Sequence, residues 1–201
     1  SVIGQTRKAD EIIVVDDGST DGSMALLESI AGSCDVPITV IDKRNGGQLS
    51  AFNAGFKAVT ADVVCFLDSD DLYDPHYLAQ VEMGFVEHPG TSLFYSSYIQ
   101  FFTDGSRKPF VFEDGGLPLQ LLQTICLHRF CGAPTSMIAV RRDALARILP
   151  CDDEPSWRVS ADDVLVMLSA ALRLDRRHTR VPLVMYRIHG DNNFQGKKPS
   201  P

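Results

Sequence analysis

Short apolar runs alternate with longer mixed segments through the first half of the chain. The runs are rich in β-branched side chains, which predicts strands buried on both faces. The longer segments follow turns rich in Asp, Ser, Asn or Gly, as helix starts do. Repeated strand–turn–helix units favour a parallel sheet covered by helices. The predicted strands are residues 11–15, 38–42 and 62–67, and the predicted helices are residues 22–32, 48–59 and 75–87.

The second half of the chain has a different pattern. Apolar residues 93–102 and 109–112 flank a polar turn, which predicts a hairpin added antiparallel to the sheet. We therefore expect a single α/β domain, with a mixed sheet flanked by helices and a disordered tail at 195–201. The other predicted helices are residues 117–127, 141–149 and 160–174, and the other predicted strands are residues 136–140 and 181–187.

Composition narrows the function classes. The chain has 201 residues, of which 44% are hydrophobic and 22% charged, as in an ordinary single-domain globular protein. Its net charge of −7 argues against nucleic-acid binding. The basic residues at 173–180 predict a solvated face, with contact at a membrane surface as the alternative.

Cysteine usage predicts the compartment. The five cysteines are odd in number and form no zinc-like CxxC pair, which favours reduced thiols. No apolar run approaches the roughly 20 residues that span a bilayer. We expect a cytoplasmic protein, with contact at the inner face of the membrane as the alternative.

Acidic turns follow two of the predicted strands, at residues 16–19 and 68–71. In open parallel sheets the carboxyl ends of neighbouring strands form a common ligand crevice. The second turn holds three carboxylates in four residues, and each close pair costs roughly 4 kcal/mol at an effective dielectric of about 20. A hard divalent cation such as Mg²⁺ or Mn²⁺ would relieve this repulsion. The alternative is that the polar residues of both turns cap the helices that follow or lie in ordinary solvated turns.

Two common nucleotide-binding motifs do not occur in the sequence. Neither GxGxxG nor GxxxxGK[ST] is found, so neither a dinucleotide fold nor a P-loop is supported.

Four motifs occur in an order and spacing that resemble the family 2 glycosyltransferases, which have the GT-A fold. The resemblance extends from about residue 5 to residue 193. The motifs are Val14-Val15-Asp16-Asp17-Gly18-Ser19-Thr20-Asp21, Asn53-Ala54-Gly55-Phe56, Phe66-Leu67-Asp68-Ser69-Asp70-Asp71 and Tyr186-Arg187-Ile188-His189-Gly190-Asp191-Asn192.

The resemblance implies roles for the acidic residues. Asp17, next to Asp16, matches the position that reads the nucleotide base. Asp68 and Asp70 match the DxD motif, which holds the ribose and a metal on the donor diphosphate, with Asp70 as the direct metal ligand. His189, in the closing motif, is expected to contact phosphate or metal, or to be structural.

The resemblance also implies a catalytic base at the start of a late helix. Asp162 and Asp163 both match this position, and the sequence does not decide which of them is the base. The alternative is that both are simply acidic residues favoured at a helix N-terminus by the helix dipole. The family transfers a sugar with inversion from a nucleotide donor, here a UDP- or GDP-sugar, to a saccharide, lipid-linked or protein acceptor. Residues 134–136 are expected to shape the acceptor pocket.

Residues 1–6 resemble the end of the family's first helix, which follows a first strand. The expectation is therefore a truncated domain with exposed strand edges or a gap, poorly stable or inactive. Its nucleotide-binding part would be about 1–100 and its acceptor part about 101–194. The competing functions are a non-catalytic nucleotide- or sugar-binding remnant and a nucleotidyltransferase, which would need a Gly-rich basic loop.

Overall fold

The strands form two sheets in the computed structural model, which describes residues 1–112 and 133–189. The smaller sheet pairs strands β1 (Ile12–Asp16) and β2 (Ile38–Asp42) in parallel. The larger sheet has the strand order β3-β7-β5-β8-β4, and β6 pairs with β5. Its strands are β3 (Val63–Cys65), β4 (Leu72–Tyr73), β5 (Leu93–Phe102), β6 (Arg107–Phe110), β7 (Ile138–Arg141) and β8 (Arg176–Ile188).

The larger sheet is mixed, as the sequence predicts, but β3 pairs antiparallel with β7 in it and does not join β1 and β2 in the predicted parallel sheet. Strands β5 and β8 run parallel, whereas β3, β4, β6 and β7 pair antiparallel with their neighbours. Within the described residues, no strand pairs with the edge of β1 opposite β2, or with the edge of β3 opposite β7.

The helices cover the sheets, and one of them touches both. A Cβ atom added to Gly55 would lie 3.2 Å from a Val15 methyl group in β1. Three residues earlier, the Phe52 ring centroid is 4.8 Å from that of Phe66, just beyond β3. The helix that carries both contacts, α2, therefore holds the two sheets together. The helices are α1 (Ser23–Ala31), α2 (Gln48–Ala58), α3 (Tyr77–Glu87), α4 (Arg142–Leu145) and α5 (Asp162–Ala171).

The hydrophobic core lies between the larger sheet and its helices. Tyr77, Ile138, Leu145 and Leu165 are fully buried there. Burial of each such side chain stabilises the fold by about 1.5–3 kcal/mol. In contrast, no residue of α1 is fully buried, so the smaller sheet contributes less apolar burial.

Strand β8 is longer than the sequence predicts. It begins at Arg176 rather than at residue 181 and so includes most of the basic cluster. Arg177 and Arg180 are exposed as expected, but Arg176 is half-buried, and burial lowers its pKa. The extra residues belong to the strand because they pair with β5. The basic residues among them hide the apolar pattern by which a strand is predicted from sequence.

Other predictions have mixed outcomes. Helix α4 ends at Leu145 rather than 149, and the two-residue strand β4 and a 3-10 helix at Glu154–Trp157 were not predicted. The predicted helix at 117–127 and the tail at 195–201 lie outside the described residues. Cys34, Cys65 and Cys151 are free thiols. Over residues 1–112 and 133–189, no helix has the length and hydropathy needed to cross a membrane.

Candidate active site

The acidic turn at residues 68–71 is held by the segment that enters β7. The backbone N–H of Asp68 donates to Ser136 Oγ at 3.0 Å, and the N–H of Asp71 donates to the Asp68 carbonyl at 3.2 Å. The Ser136 hydroxyl also acts to lower the pKa of the Asp71 carboxyl group. Thr135 and Ser136 are buried, and the Ser136 hydroxyl holds this turn, whereas the acceptor contact expected for 134–136 stays a prediction.

Asp68 and Asp71, two of the acidic residues of this turn, have raised pKa values. Burial, with repulsion from Asp71 and Asp70, raises the pKa of Asp68 to about 7. Burial also raises the pKa of Asp71 to about 6, although its bonds to Ser136 and Arg187 oppose the shift. The repulsion expected from the sequence is therefore present, and an adjacent cation would favour the ionised forms.

The closing motif lies against the same turn. The backbone N–H of Arg187 donates to Asp71 Oδ1 at 2.8 Å, and its Nε donates to the Asp70 carbonyl at 2.7 Å. The guanidinium carbon of Arg187 lies 4.5 Å from the centroid of the Phe101 ring. The Nε2 atom of His189 is 3.0 Å from Asp70 Oδ2. Asp71 thus anchors the end of β8 and places His189 beside Asp70.

Asp70 and His189 fit two positions of a divalent cation. Mg²⁺ ligands lie about 2.1 Å from the ion, so adjacent ligands of an octahedron are about 3 Å apart, and these two atoms are 3.0 Å apart. Ions that contact phosphates often take only one or two protein carboxylates. In the described part of the chain, no group of three or more His, Cys, Asp or Glu side chains could hold a metal ion.

Asp17 is bound within the protein through both of its carboxylate oxygens. Its Oδ1 accepts from Lys43 Nζ at 2.5 Å and from Gly46 N–H at 2.9 Å, and its Oδ2 accepts from Gly47 N–H at 2.7 Å. Burial acts to raise the pKa of Asp17, but these bonds outweigh it and lower the pKa. The side chain expected to read the base also fixes the turn before α2.

Asp16 has a different environment. Its Oδ1 accepts from the Ser19 N–H at 2.7 Å, which closes the turn after β1. The side chain is buried, and its Oδ2 has no hydrogen-bond partner among the described residues. Of the two carboxylates in this turn, only that of Asp16 has an acceptor atom left without a hydrogen bond by the described part of the chain.

Gln48 links the acidic turn to the late helix, a role that no motif in the sequence predicts. Its side-chain Nε2 donates to Thr135 Oγ1 at 3.0 Å and lies 3.3 Å from Asp68 Oδ1. Its Oε1 accepts from the Ala161 N–H at 2.7 Å. Gln48 directly follows the glycines that bind Asp17, so this one turn connects all three acidic segments.

The two candidate base residues begin α5. Asp162 is 6% exposed, and burial together with the charges of Asp163 and Asp68 raises its pKa to about 7. Asp163 is half-buried, burial raises its pKa, and its Oδ1 is buried without a partner within the described residues. The preceding Ser160 has a φ of 62°, an uncommon value for a residue other than glycine. The chain turns sharply there and brings the pair towards Asp68.

The motif at residues 53–56 contacts the segment that precedes α5. Asn53 is buried in α2, and its amide bonds the backbone N–H and carbonyl of Cys151 at 2.9 and 2.8 Å. Its Nδ2 also donates to Glu154 Oε1 at 2.8 Å. The motif therefore fixes the segment that leads into α5.

The sequence of residues 1–149 matches the model of the family described as Glycosyl transferase family 2. The chain belongs to this family. The resemblance inferred from the four motifs is thus confirmed for most of the chain, and the geometry above is that of a family 2 glycosyltransferase domain.

Among curated relatives, an uncharacterized glycosyltransferase of Nostoc sp. is 36% identical over 96% of this chain and 60% of its own length. The undecaprenyl-phosphate 4-deoxy-4-formamido-L-arabinose transferase of Pseudomonas fluorescens is 44% identical over 40% of this chain and 25% of its own length. This chain therefore spans only part of the length of these relatives.

A solved structure of similar fold is S. aureus TarS 1–349 in complex with UDP. It has a TM-score of 0.68 and 20% identity, over 92% of this chain and 54% of that one. The same protein in complex with UDP-GlcNAc has a TM-score of 0.67 over 98% of this chain. This likeness confirms the expected GT-A-type fold.

Proposed function

We propose that this chain carries the donor-binding and catalytic centre of an inverting sugar transferase. The observation that supports this function is the convergence of three separate segments: the turn at 68–71, His189 at the end of β8, and the acids that begin α5. His189 contacts Asp70 of the turn directly. Gln48 joins the turn to the start of α5, and the charge of Asp68 acts on Asp162 there. The acidic turn and the histidine could hold a cation beside the leaving diphosphate, and a separate carboxylate could take the proton of the acceptor.

The proposed donor is a UDP-sugar. The structures of TarS with UDP and with UDP-GlcNAc support this choice, because that protein shares the fold of this chain. In the proposal, Asp16 and Asp17 lie on the nucleoside side, and Asp68 contacts the ribose.

The proposed metal ligands are Asp70 and His189, with Mn²⁺ or Mg²⁺ as the ion. When bound, such an ion would supply positive charge next to the leaving diphosphate. Asp71 and Arg187 then act by holding these ligands, through the bonds between the turn and the end of β8.

The proposed base is Asp163 rather than Asp162. A base must reach the proton it removes, and Asp163 is half-buried whereas Asp162 is almost fully buried. The acceptor O–H proton moves to the Asp163 carboxylate as the acceptor oxygen bonds to C1 of the sugar. The bond from C1 to the diphosphate oxygen breaks on the opposite face, and its electron pair leaves with the diphosphate.

The acceptor is proposed to be a saccharide. A relative described as an O-antigen biosynthesis protein of Myxococcus xanthus supports this class, with 30% identity over 74% of this chain. Lipid-linked and protein acceptors are the other classes to assay.

The test combines calorimetry with a product assay. We expect UDP to bind in the presence of MnCl₂ and to bind at least about tenfold more weakly with EDTA, and we expect slow UDP release from UDP-GlcNAc in water. GDP is the matched control for the base. If neither nucleotide binds with or without Mn²⁺, the proposal is wrong.

Two outcomes would favour the competing functions. Binding of UDP without turnover would favour a non-catalytic binding remnant. Release of pyrophosphate from UTP and a sugar 1-phosphate would favour a nucleotidyltransferase.

A further inference from the structure

Gln48 is the one side chain of α2 that bonds to both sides of the proposed reaction centre within the described residues. On the donor side its Nε2 contacts Thr135 Oγ1 and Asp68 Oδ1. On the base side its Oε1 accepts from the Ala161 N–H, two residues before Asp163. A single planar amide therefore sets the spacing between the donor turn and the helix that bears the base.

The backbone of Gln48 is also fixed. Its N–H donates to the Arg158 carbonyl at 2.9 Å. The preceding Gly47 has a φ of 91°, and a Cβ atom there would lie 2.5 Å from the Arg158 Cα. Only glycine fits this approach, so the sequence lets the segment before α5 pack directly on the start of α2. The backbone that carries the Gln48 side chain is therefore held in place.

The Ala161 N–H lies at the start of α5, where backbone N–H groups lack partners within the helix. Side-chain capping is absent at this end of α5, and Gln48 supplies the acceptor from another part of the fold. Because this bond comes from α2, the position of the helix start depends on the element that also contacts Asp68. Misplacement of reacting groups by about 1 Å can lower a rate by about 100-fold.

We propose that Gln48 is a positioning residue that holds the base-bearing end of α5 in line with the donor bound at the 68–71 turn. This inference rests on the proposed function. Gln48 itself need not touch the substrates, and its effect is exerted through Asp68 and through the Ala161 amide.

Two substitutions separate its contacts. Gln48→Met keeps the length of the side chain and removes both contacts. Gln48→Glu keeps an oxygen that accepts from Ala161 N–H but removes the N–H groups that face Thr135 and Asp68. Gln80→Met, on the half-buried surface of α3, is the control because the Gln80 side chain makes no hydrogen bond to any residue that the structure describes.

The first measurement is a double-mutant cycle with Asp163→Asn, using UDP release from UDP-GlcNAc with Mn²⁺. We expect Gln48→Met to lower kcat at least about tenfold in the native background, while the Kd for UDP changes less than about threefold. In the Asp163→Asn background the same substitution should lower kcat less than about twofold, because there is no base left to align. An equal loss in both backgrounds would mean a merely structural role and would overturn the proposal.

The second measurement is amide hydrogen exchange and needs no activity. Gln48→Met should speed exchange at Ala161 at least about tenfold, whereas Gln48→Glu and Gln80→Met should leave it within about twofold of the native chain. Unchanged exchange in Gln48→Met overturns the positioning role whatever the activity. If the native chain binds no nucleotide, the proposed function fails instead, and that result is distinct from the exchange result.

Discussion

The imidazole of His189 lies 3.0 Å from the carboxylate of Asp70, measured from Nε2 to Oδ2, although the two residues are 119 positions apart. Strand β8 makes this contact by running beside β5 and ending at the acidic turn. The bond of Arg187 N–H to Asp71 fixes the end of the strand at that place. The two motifs that resemble separate parts of the family pattern are thus one structural unit.

We predict that Asp70→Asn and His189→Ala each weaken Mn²⁺-dependent binding of UDP. The first removes an anionic ligand and should lower affinity at least about tenfold, and the second should lower it about three- to tenfold. Calorimetry with Mn²⁺ and with EDTA measures both. His88→Ala, at an exposed position after α3, is the matched control. Native Mn²⁺ dependence in both variants would contradict the proposed metal ligands.

We predict a large difference between Asp163→Asn and Asp162→Asn in the rate of UDP release from UDP-GlcNAc. Loss of a general base costs about 100- to 10,000-fold, so Asp163→Asn should lower kcat by at least about 100-fold. The buried Asp162 should matter less, by about tenfold or below. Asp143→Asn, in the first turn of α4, controls for loss of a helix N-terminal acid. A larger loss in Asp162→Asn would move the base to Asp162.

The pH dependence of stability provides a separate test of Asp162. Burial and the nearby charges of Asp163 and Asp68 raise its pKa to about 7 from an ordinary value of 3.8. Between about pH 4 and 7 the folded chain therefore keeps a proton that the unfolded chain has lost. The free energy of unfolding should fall as pH rises through this window and stay low above it.

Asp162→Asn should remove this contribution. We expect the variant to match the native chain near pH 4 and to be more stable at pH 8, by on the order of 2–4 kcal/mol. Urea unfolding from pH 4 to 8 measures the difference, and Asp163→Asn should give a smaller change in the same direction. A variant that is less stable than the native chain at pH 8 would show that Asp162 is held ionised by contacts that outweigh its burial.

Asn53 offers a prediction about stability alone. Its replacement by Ala leaves the Cys151 N–H and carbonyl without their bonds at a buried site. Such losses cost about 1–3 kcal/mol each, so we expect the free energy of unfolding to fall by about 2–4 kcal/mol. Asn45→Ala, which removes an exposed bond to Arg158, should cost less than about 1 kcal/mol. Equal effects in the two variants would show that burial of the Asn53 bonds is unimportant.

Several elements follow from the sequence because their signals are local. Strand β2 and helices α1, α2 and α3 lie close to their predicted positions, since apolar runs and polar turns mark them directly. The acidic turns were identified for the same reason, because repulsion among neighbouring carboxylates can be read from adjacent residues. The length of β8 was not predicted, because its pairing with β5 depends on a strand that lies far away in the sequence.

The sequence by itself determined the alternation of strands and helices, the family, and the identity of the acidic and histidine residues that form the candidate site. The tertiary structure decided how they are arranged: Asp17 bound to the turn before α2, His189 beside Asp70, and Gln48 between Asp68 and the start of α5. The physical reason is that motif chemistry depends on residue type and spacing. Burial, raised pKa values and hydrogen bonds between distant residues exist only once packing has brought those residues together.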